Sequence, residues 1–477
     1  MLSDTSPKPC GGGGFPPPDF DPDLIRRYDR SGPRYTSYPT ALQFTTSFDA
    51  ARLKELAQFS NEEPVPRALS LYVHIPFCST LCFYCACNKI VTRNVSRAVD
   101  YLERLHSEVA MYGQLFDDDR ELVQLHLGGG TPTFLDTGQI GQLLAQISGH
   151  FRLTDDSSRD YSIEIDPRTV SPDTLDHLRE IGFNRISMGV QDFDPAVQKA
   201  IHREQPCEET LSLIRHARAR GFRSTNVDLI YGLPLQTVSS FITTLDRLLE
   251  VTPDRLSIFH YAHLPHLFAP QQRILESQLP DSDEKLRILG AAIDRLSDAG
   301  YVYIGMDHFA REDDPLVNAF RDGTLHRNFQ GYSTHAQCDL IGVGVSAISH
   351  IGNSYSQNTK ALSNYQESIG AGKLPVDRGL ELSRDDEIRQ CIIEQLMCAG
   401  EVNLNQVLFE HRLVRGEYFA NELEHLQPLV DDGLVTLPSP SVIRVTRKGR
   451  YLLRNICMIF DRYIEPDAET PRHSRVL

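Results

Sequence analysis

Between Leu69 and about Ile348, short apolar runs alternate with longer stretches in which apolar residues recur every three or four positions. The runs Leu69–Ile75, Leu122–Leu127, Tyr161–Ile165, Arg185–Gly189, Thr225–Ile230 and Arg255–His260 are short and rich in β-formers, which predicts buried strands. Ala98–Tyr112, Gly138–Phe151, Pro172–Ile181, Glu208–Arg220, Thr237–Leu249 and Asp283–Ala299 carry the helical period. Alternation of this kind predicts an α/β chain with a parallel sheet and right-handed crossovers. Six or more strand–helix repeats favour a partial or full parallel β/α (TIM-like) barrel over an open sheet, with working residues at the C-terminal strand ends.

The flanks follow other patterns. Residues 1–18, with Gly11–Gly14 and Pro16–Pro18, are expected to form a disordered tail. An N-terminal arm is placed at 19–68, with a short helix at Asp21–Tyr28. Its Ser31–Pro39 segment is too rich in Pro and Gly to be regular, and either lines a site or clips onto the main domain through its tyrosines. The barrel domain is placed at 69–380. Beyond it, Arg384–Met397 and Val407–Leu426 read as helices, Gly433–Val445 as a hairpin and Arg447–Arg454 as a basic helical stretch. This predicts a smaller, mostly helical, winged-helix-like domain at 381–464, then a tail at 465–477.

Charge narrows the partners. A net charge of −16 over 477 residues argues against a nucleic-acid or anionic-membrane partner, which needs a basic face. No apolar run approaches the about 20 residues that a membrane helix needs, and the first residues lack the apolar core of a secretory signal. Ten cysteines, four of them in one short stretch, suit a reducing cytoplasm and a metal site better than a disulfide framework. No heptad pattern demands a second copy, so a monomer is expected.

The chemistry concentrates at the strand ends. Directly after Leu69–Ile75 comes Cys78-Ser79-Thr80-Leu81-Cys82-Phe83-Tyr84-Cys85, three thiols on one loop. Thiolates hold iron–sulfur clusters, and a cubane of four irons with three protein ligands keeps one iron open for reaction. Cys87 adds a fourth thiol, so a closed structural zinc site is the alternative, although such sites are usually built from two separated pairs. After Leu122–Leu127 the turn Gly128-Gly129-Gly130-Thr131-Pro132-Thr133 lets backbone approach a ligand closely, or is simply a tight βα loop. Glu164, Asp166, Arg168, Gln191, Asp192 and Asp228 stand at further strand ends. One such carboxylate is more often a structural partner than a catalyst, but several around one barrel mouth indicate a pocket.

The C-x3-C-x2-C loop and the glycine turn together resemble the radical S-adenosylmethionine superfamily. Within it, Tyr72–Cys78, Cys85–Arg93, Asn184–Asp192, Asp228–Pro234, Tyr261–Pro265, Asn328–Tyr332 and Arg454–Cys457 closely resemble the oxygen-independent coproporphyrinogen III oxidase (dehydrogenase) family. The likeness runs from about Asp21 to Tyr463 and includes Ser31–Pro39 and the additional Cys87, whose own role the likeness does not define.

The resemblance implies that Cys78, Cys82 and Cys85 ligate a 4Fe–4S cluster, whose open iron binds one S-adenosylmethionine contacted by Tyr72, Gly129, Glu164 and Ile348. It implies a second S-adenosylmethionine at Tyr84, Gly130, Thr131, Gln191, Arg203, Asp228 and Ala262, with Tyr84 standing where Phe is usual. Ser333–Cys338 is a looser match, and no role is carried to His335 or Cys338. The implied reaction is radical decarboxylation of the ring A and B propionates of coproporphyrinogen III through a 5′-deoxyadenosyl radical, served by an electron donor and an electron acceptor. Arg34, Arg93 and Arg168, beside proposed site loops, are candidates for the substrate carboxylates, because guanidinium pairs bidentately with them. A heme-binding carrier and a radical methyltransferase of the same superfamily are the competing readings.

Overall fold

In the computed structural model the described residues are 18–335, 338–413 and 418–464; of the expected tails, residues 1–18 and 465–477, all but Pro18 lie outside them. The chain forms two compact units interleaved in sequence. One takes the described residues of 41–288 and 337–382, the other those of 1–40, 289–336 and 383–477.

The first unit holds the parallel strands. They are β1 (Leu69–Ile75), β2 (Glu121–Gly129), β3 (Asp160–Ile165), β4 (Arg185–Gln191), β5 (Ser224–Tyr231), β6 (Arg255–His260) and β7 (Asp339–Val343). Their order is β7-β1-β2-β3-β4-β5-β6, with every neighbouring pair parallel. Six of the seven coincide with the predicted apolar runs to within two residues at either end. The barrel is partial: beyond β7 the sheet continues through antiparallel strands Ile348–Ile351, Ser354–Asn358 and Val376–Glu381. Sequence reading overlooked β7 because no helical pattern of this unit precedes it; the chain returns to the sheet after a long excursion.

Strands β1 and β7 are buried almost throughout, as parallel strands covered on both faces must be. Helices Ser96–Gly113, Thr137–His150, Pro172–Glu180, Cys207–Ala219 and Val238–Leu249 provide the cover, each within two residues of its predicted span. Three of them start on reciprocal caps, Asp136 with Gln139, Ser171 with Thr174 and Thr237 with Ser240. These caps satisfy otherwise orphaned first-turn amides and fix where each strand-end loop stops.

The second unit packs Leu24, Tyr35 and Tyr38 of the N-terminal segment into one core with Phe320, Ile388, Ile392, Leu452 and Phe460. Tyr35 donates to Asp461 at 3.0 Å, and Arg454 holds the carbonyls of Gly32 and Pro33. Ser31–Pro39 is therefore an aromatic clip, but within this unit, where the sequence reading has it on the main domain. In this unit helices Arg384–Ala399, Leu404–Glu410 and Ala420–Asp431 accompany a three-stranded sheet of Glu401–Asn403, Val435–Ser439 and Val442–Val445. The single helix expected over Val407–Leu426 is instead two. Arg412 adopts a left-handed φ of 54°, and the Leu413 amide turns back to the Leu408 carbonyl at 2.8 Å, which closes the first helix.

Candidate active site

The register of the parallel strands sets the site. Tyr72, His126 and Ser162 are consecutive cross-strand partners, as are Glu164 and Ser187, and Gly189 and Asp228. Polar side chains far apart in sequence thus line up across β1 to β5. A bulge between Gly189 and Gln191 breaks the alternation, and Gln191 takes a φ of 67°, which turns its side chain toward the cavity.

The cysteine loop leaves β1 and is pinned at both ends. Phe77 and Cys78 pair with Ile90 and Val91, and the amides of Ile90 and Thr92 reach the Pro76 and Cys78 carbonyls at 2.7 and 2.9 Å. Lys89 Nζ donates to the Cys85 carbonyl at 2.9 Å from inside the loop. The glycine turn after β2 lies against this exit: Gly130 and Thr131 donate to the carbonyls of Ile75 and Phe77, each at 2.8 Å. A Cβ on Gly130 would stand 2.7 Å from the Pro76 backbone, so only glycine permits the approach.

One cavity gathers most of the predicted residues. Cys78, Cys82, Cys85, Tyr84, Gly129, Gly130, Thr131, Glu164, Gln191, Arg203 and Asp228 line it, with Cys87, Lys89, Asp166, Arg168 and Ser187. Three candidates do not. Tyr72 lies one layer behind, its hydroxyl 3.1 Å from His74 Nδ1 and its ring stacked on His126. Ala262 is tied to Tyr84 through Gln271, whose amide donates to both carbonyls at 3.1 and 3.0 Å. Ile348 begins the first antiparallel strand after β7.

The surroundings of the thiols fit the thiolate ligands of an iron–sulfur cluster. Thr131 Oγ1 donates to Cys78 Sγ at 3.4 Å, although burial pushes that thiol up to about 11. Arg203 Nη1 and Arg168 Nη2 lie 3.6 and 3.8 Å from Cys82 Sγ. The Cys87 thiol and then Lys89 bring Cys85 down to about 6 against the cost of its burial. Among the described residues no three histidine, cysteine or acidic side chains converge closely enough for a single metal ion, and the three loop thiols share a cavity wall instead.

In the same cavity, Glu164 accepts from the Gly129 amide at 3.1 Å, and its other oxygen lies 3.3 Å from His126 Nε2. Burial opposes ionisation of Glu164, but the His126 contact and the Gly129 amide hold its carboxyl below the usual range. His74 Nε2 donates to the Asn88 carbonyl at 3.0 Å, which leaves Nδ1 to accept from Tyr72; burial lowers its pKa and keeps the ring neutral. Asp228 takes Ser187 and Asn226, each at 2.8 Å, and its pKa is raised by burial.

Other candidates have different places. Asp192 is fully buried and binds Gln236, Thr244 and the Asp194 amide, a structural carboxylate away from the cavity. Arg34 pairs with Asp307 in the second unit, and Arg93 is exposed. Arg168 lines the cavity in a bidentate pair with Asp166. His126 was not singled out from sequence; its signal was a lone polar residue inside the apolar run Leu125-His126-Leu127, two positions before the glycine turn.

Comparison with known proteins agrees with this geometry. The description "Radical SAM superfamily" matches residues 72–248. Oxygen-independent coproporphyrinogen III oxidase of Pseudomonas aeruginosa is 49% identical across 96% of this chain and 99% of its own length. The protein of that name from Salmonella typhimurium is 51% identical over the same shares. The solved structure of coproporphyrinogen III oxidase from Escherichia coli, described as a radical SAM enzyme, superposes with a TM-score of 0.89 at 47% identity, covering 94% of this chain and all of that one.

Proposed function

Since this chain belongs to the oxygen-independent coproporphyrinogen III oxidases, a family of radical S-adenosylmethionine enzymes, we propose that it decarboxylates the ring A and B propionates of coproporphyrinogen III to vinyl groups, giving protoporphyrinogen IX without oxygen. The observation that carries the reading is the meeting of Cys78, Cys82 and Cys85 with Glu164 and the Gly129–Gly130 turn across one cavity. When bound, a 4Fe–4S cluster and S-adenosylmethionine supply one-electron reduction and a carbon radical able to take hydrogen from an unactivated C–H bond.

The three thiols are the cluster ligands in this reading. Glu164 accepts a bond from the amino group of S-adenosylmethionine, and the glycine turn admits its chain close to the backbone. Tyr72 and His74 brace that side from behind. Gln191, Arg203 and Asp228, with Tyr84, Gly130, Thr131 and Ala262, form the place for a second S-adenosylmethionine; the support is that all but Ala262 line the same cavity. Each vinyl group formed removes one carbon dioxide, one proton and two electrons from a propionate. One electron must enter from a donor and one must leave to an acceptor for the cofactor and substrate changes to balance.

The test is reconstitution under argon with iron and sulfide, followed by reductant, S-adenosylmethionine and coproporphyrinogen III. Vinyl product with carbon dioxide released in equal amount supports the reading. Hemin binding with no decarboxylation, or methyl transfer without carbon dioxide, would overturn it.

A further inference from the structure

Cys82 occupies a position unlike that of the other loop thiols. Two guanidinium groups point at its sulfur, Arg203 Nη1 at 3.6 Å and Arg168 Nη2 at 3.8 Å. Both are held by one carboxylate. Asp166 takes Arg168 Nε at 3.0 Å and Nη2 at 2.7 Å, and it takes Arg203 Nη1 at 3.1 Å. Arg203 is fixed further by the Gly189 carbonyl at 2.5 Å. The Arg168 side chain is 18% exposed, and those of Arg203 and Asp166 are 7% and 9% exposed.

Two cations and one anion leave a net positive charge beside this sulfur. At such low exposure the charge is weakly screened. Cluster potentials respond to hydrogen bonds on the ligating sulfurs, to local charge and to solvent access. Because reduction adds negative charge to a cluster, a fixed cation at a ligating sulfur stabilises the reduced state. The bidentate pair with Asp166 also settles the geometry of Arg168: the nitrogen that reaches Cys82 is one of the two engaged by the carboxylate, so the contact is oriented from behind.

We propose that Arg168, oriented by Asp166, is a positioning residue for the cluster: it donates to the Cys82 sulfur and raises the reduction potential, in place of binding a substrate carboxylate. The inference rests on the cluster reading of Cys78, Cys82 and Cys85. It gives the guanidinium a task that precedes any contact with substrate, and it makes Asp166 the residue that sets the direction of that guanidinium.

The experiment is an EPR-monitored redox titration of the reconstituted protein without substrate, on the parent, Arg168→Gln and Arg168→Lys. Loss of the cation in Arg168→Gln should disfavour reduction about tenfold, the order of one hydrogen bond to a charged group, equivalent to a downward shift of about 59 mV for a one-electron couple. Arg168→Lys keeps the charge and should recover at least half of the shift. An unchanged potential in Arg168→Gln, with weaker coproporphyrinogen III binding, assigns the side chain to substrate and overturns the inference. Equal falls in both variants assign the effect to lost packing and overturn it as well. If Arg168→Gln assembles no cluster, the Arg168→Lys titration decides: a potential equal to the parent's supports the charge assignment, and a fall of the full tenfold rejects it. A parent protein that assembles no 4Fe–4S signal overturns the cluster reading itself, an outcome distinct from all of these.

Discussion

The amide of Gly129 donates to Glu164 Oε2 at 3.1 Å and joins the ends of β2 and β3 in the wall of the cavity that the loop thiols also line. The contact exists because Gly129 takes a φ of 112°, a conformation an L side chain rarely adopts, with His74 packed where a Cβ would be.

Gly129→Ala should therefore damage binding before it damages the fold. The new Cβ would stand 2.6 Å from His74 Cε1, so either the turn or the imidazole must move. Strain of about 1–3 kcal/mol at such a position predicts roughly tenfold or greater loss of S-adenosylmethionine affinity. Equilibrium dialysis on the anaerobic, reconstituted protein measures it, and parental affinity would refute the placement of Glu164.

Cys82→Ser should lose the cluster, seen as loss of the brown absorption and of stoichiometric iron after reconstitution. Cys207→Ser, at the start of a helix well apart in sequence from the loop, should retain both. A fully loaded Cys82→Ser protein would remove Cys82 from the ligand set.

Arg120 and Asp339 form a buried ion pair at 2.6 Å, with side chains 2% and 1% exposed, between the chain entering β2 and the start of β7. Arg120 also donates to Ser60 and Asn61 and to the Arg67 carbonyl. Arg120→Ala leaves a buried carboxylate without its cation, a change that costs about 3–5 kcal/mol. Denaturant unfolding should show that loss, whereas a change below about 1 kcal/mol would mean that water or another cation takes the place of Arg120.

Glu108 gives stability an unusual pH dependence. Its carboxylate accepts from the Gly344 amide at 2.7 Å, Tyr365 at 2.6 Å and Asn358 at 2.6 Å, yet burial raises its pKa from 4.5 to about 7. Between those two values the folded chain binds the proton more readily than the unfolded chain. Its share of stability therefore falls as pH rises from about 4.5 to 7 and is constant above that. Glu108→Gln, which cannot ionise, should flatten this part of the profile in thermal unfolding between pH 5 and 7.5. An unchanged slope would show that Glu108 stays ionised throughout.

How much of this was legible before the structure depends on what each feature requires. Period and composition suffice for local elements, so β1 and β6 are legible to the residue and the five helices that cover the parallel strands to within two. The break near Arg412 was missed because it depends on one left-handed arginine, a residue with no preference for that conformation. Arg168 is a candidate carboxylate ligand from sequence, which shows only its place after β3 and not the Cys82 sulfur 86 positions away.

Strands β1 to β6, the loop thiols, the glycine turn and family membership follow from the amino-acid sequence alone, since each rests on neighbours in the chain. Tertiary structure decided which side chains meet: Glu164 with His126, Asp166 with Arg203, and Gln191 turned into the cavity by a bulge. The reason is geometric. A strand slipped by one residue would send every side chain to its opposite face, and the register that prevents this is set by packing across the whole sheet.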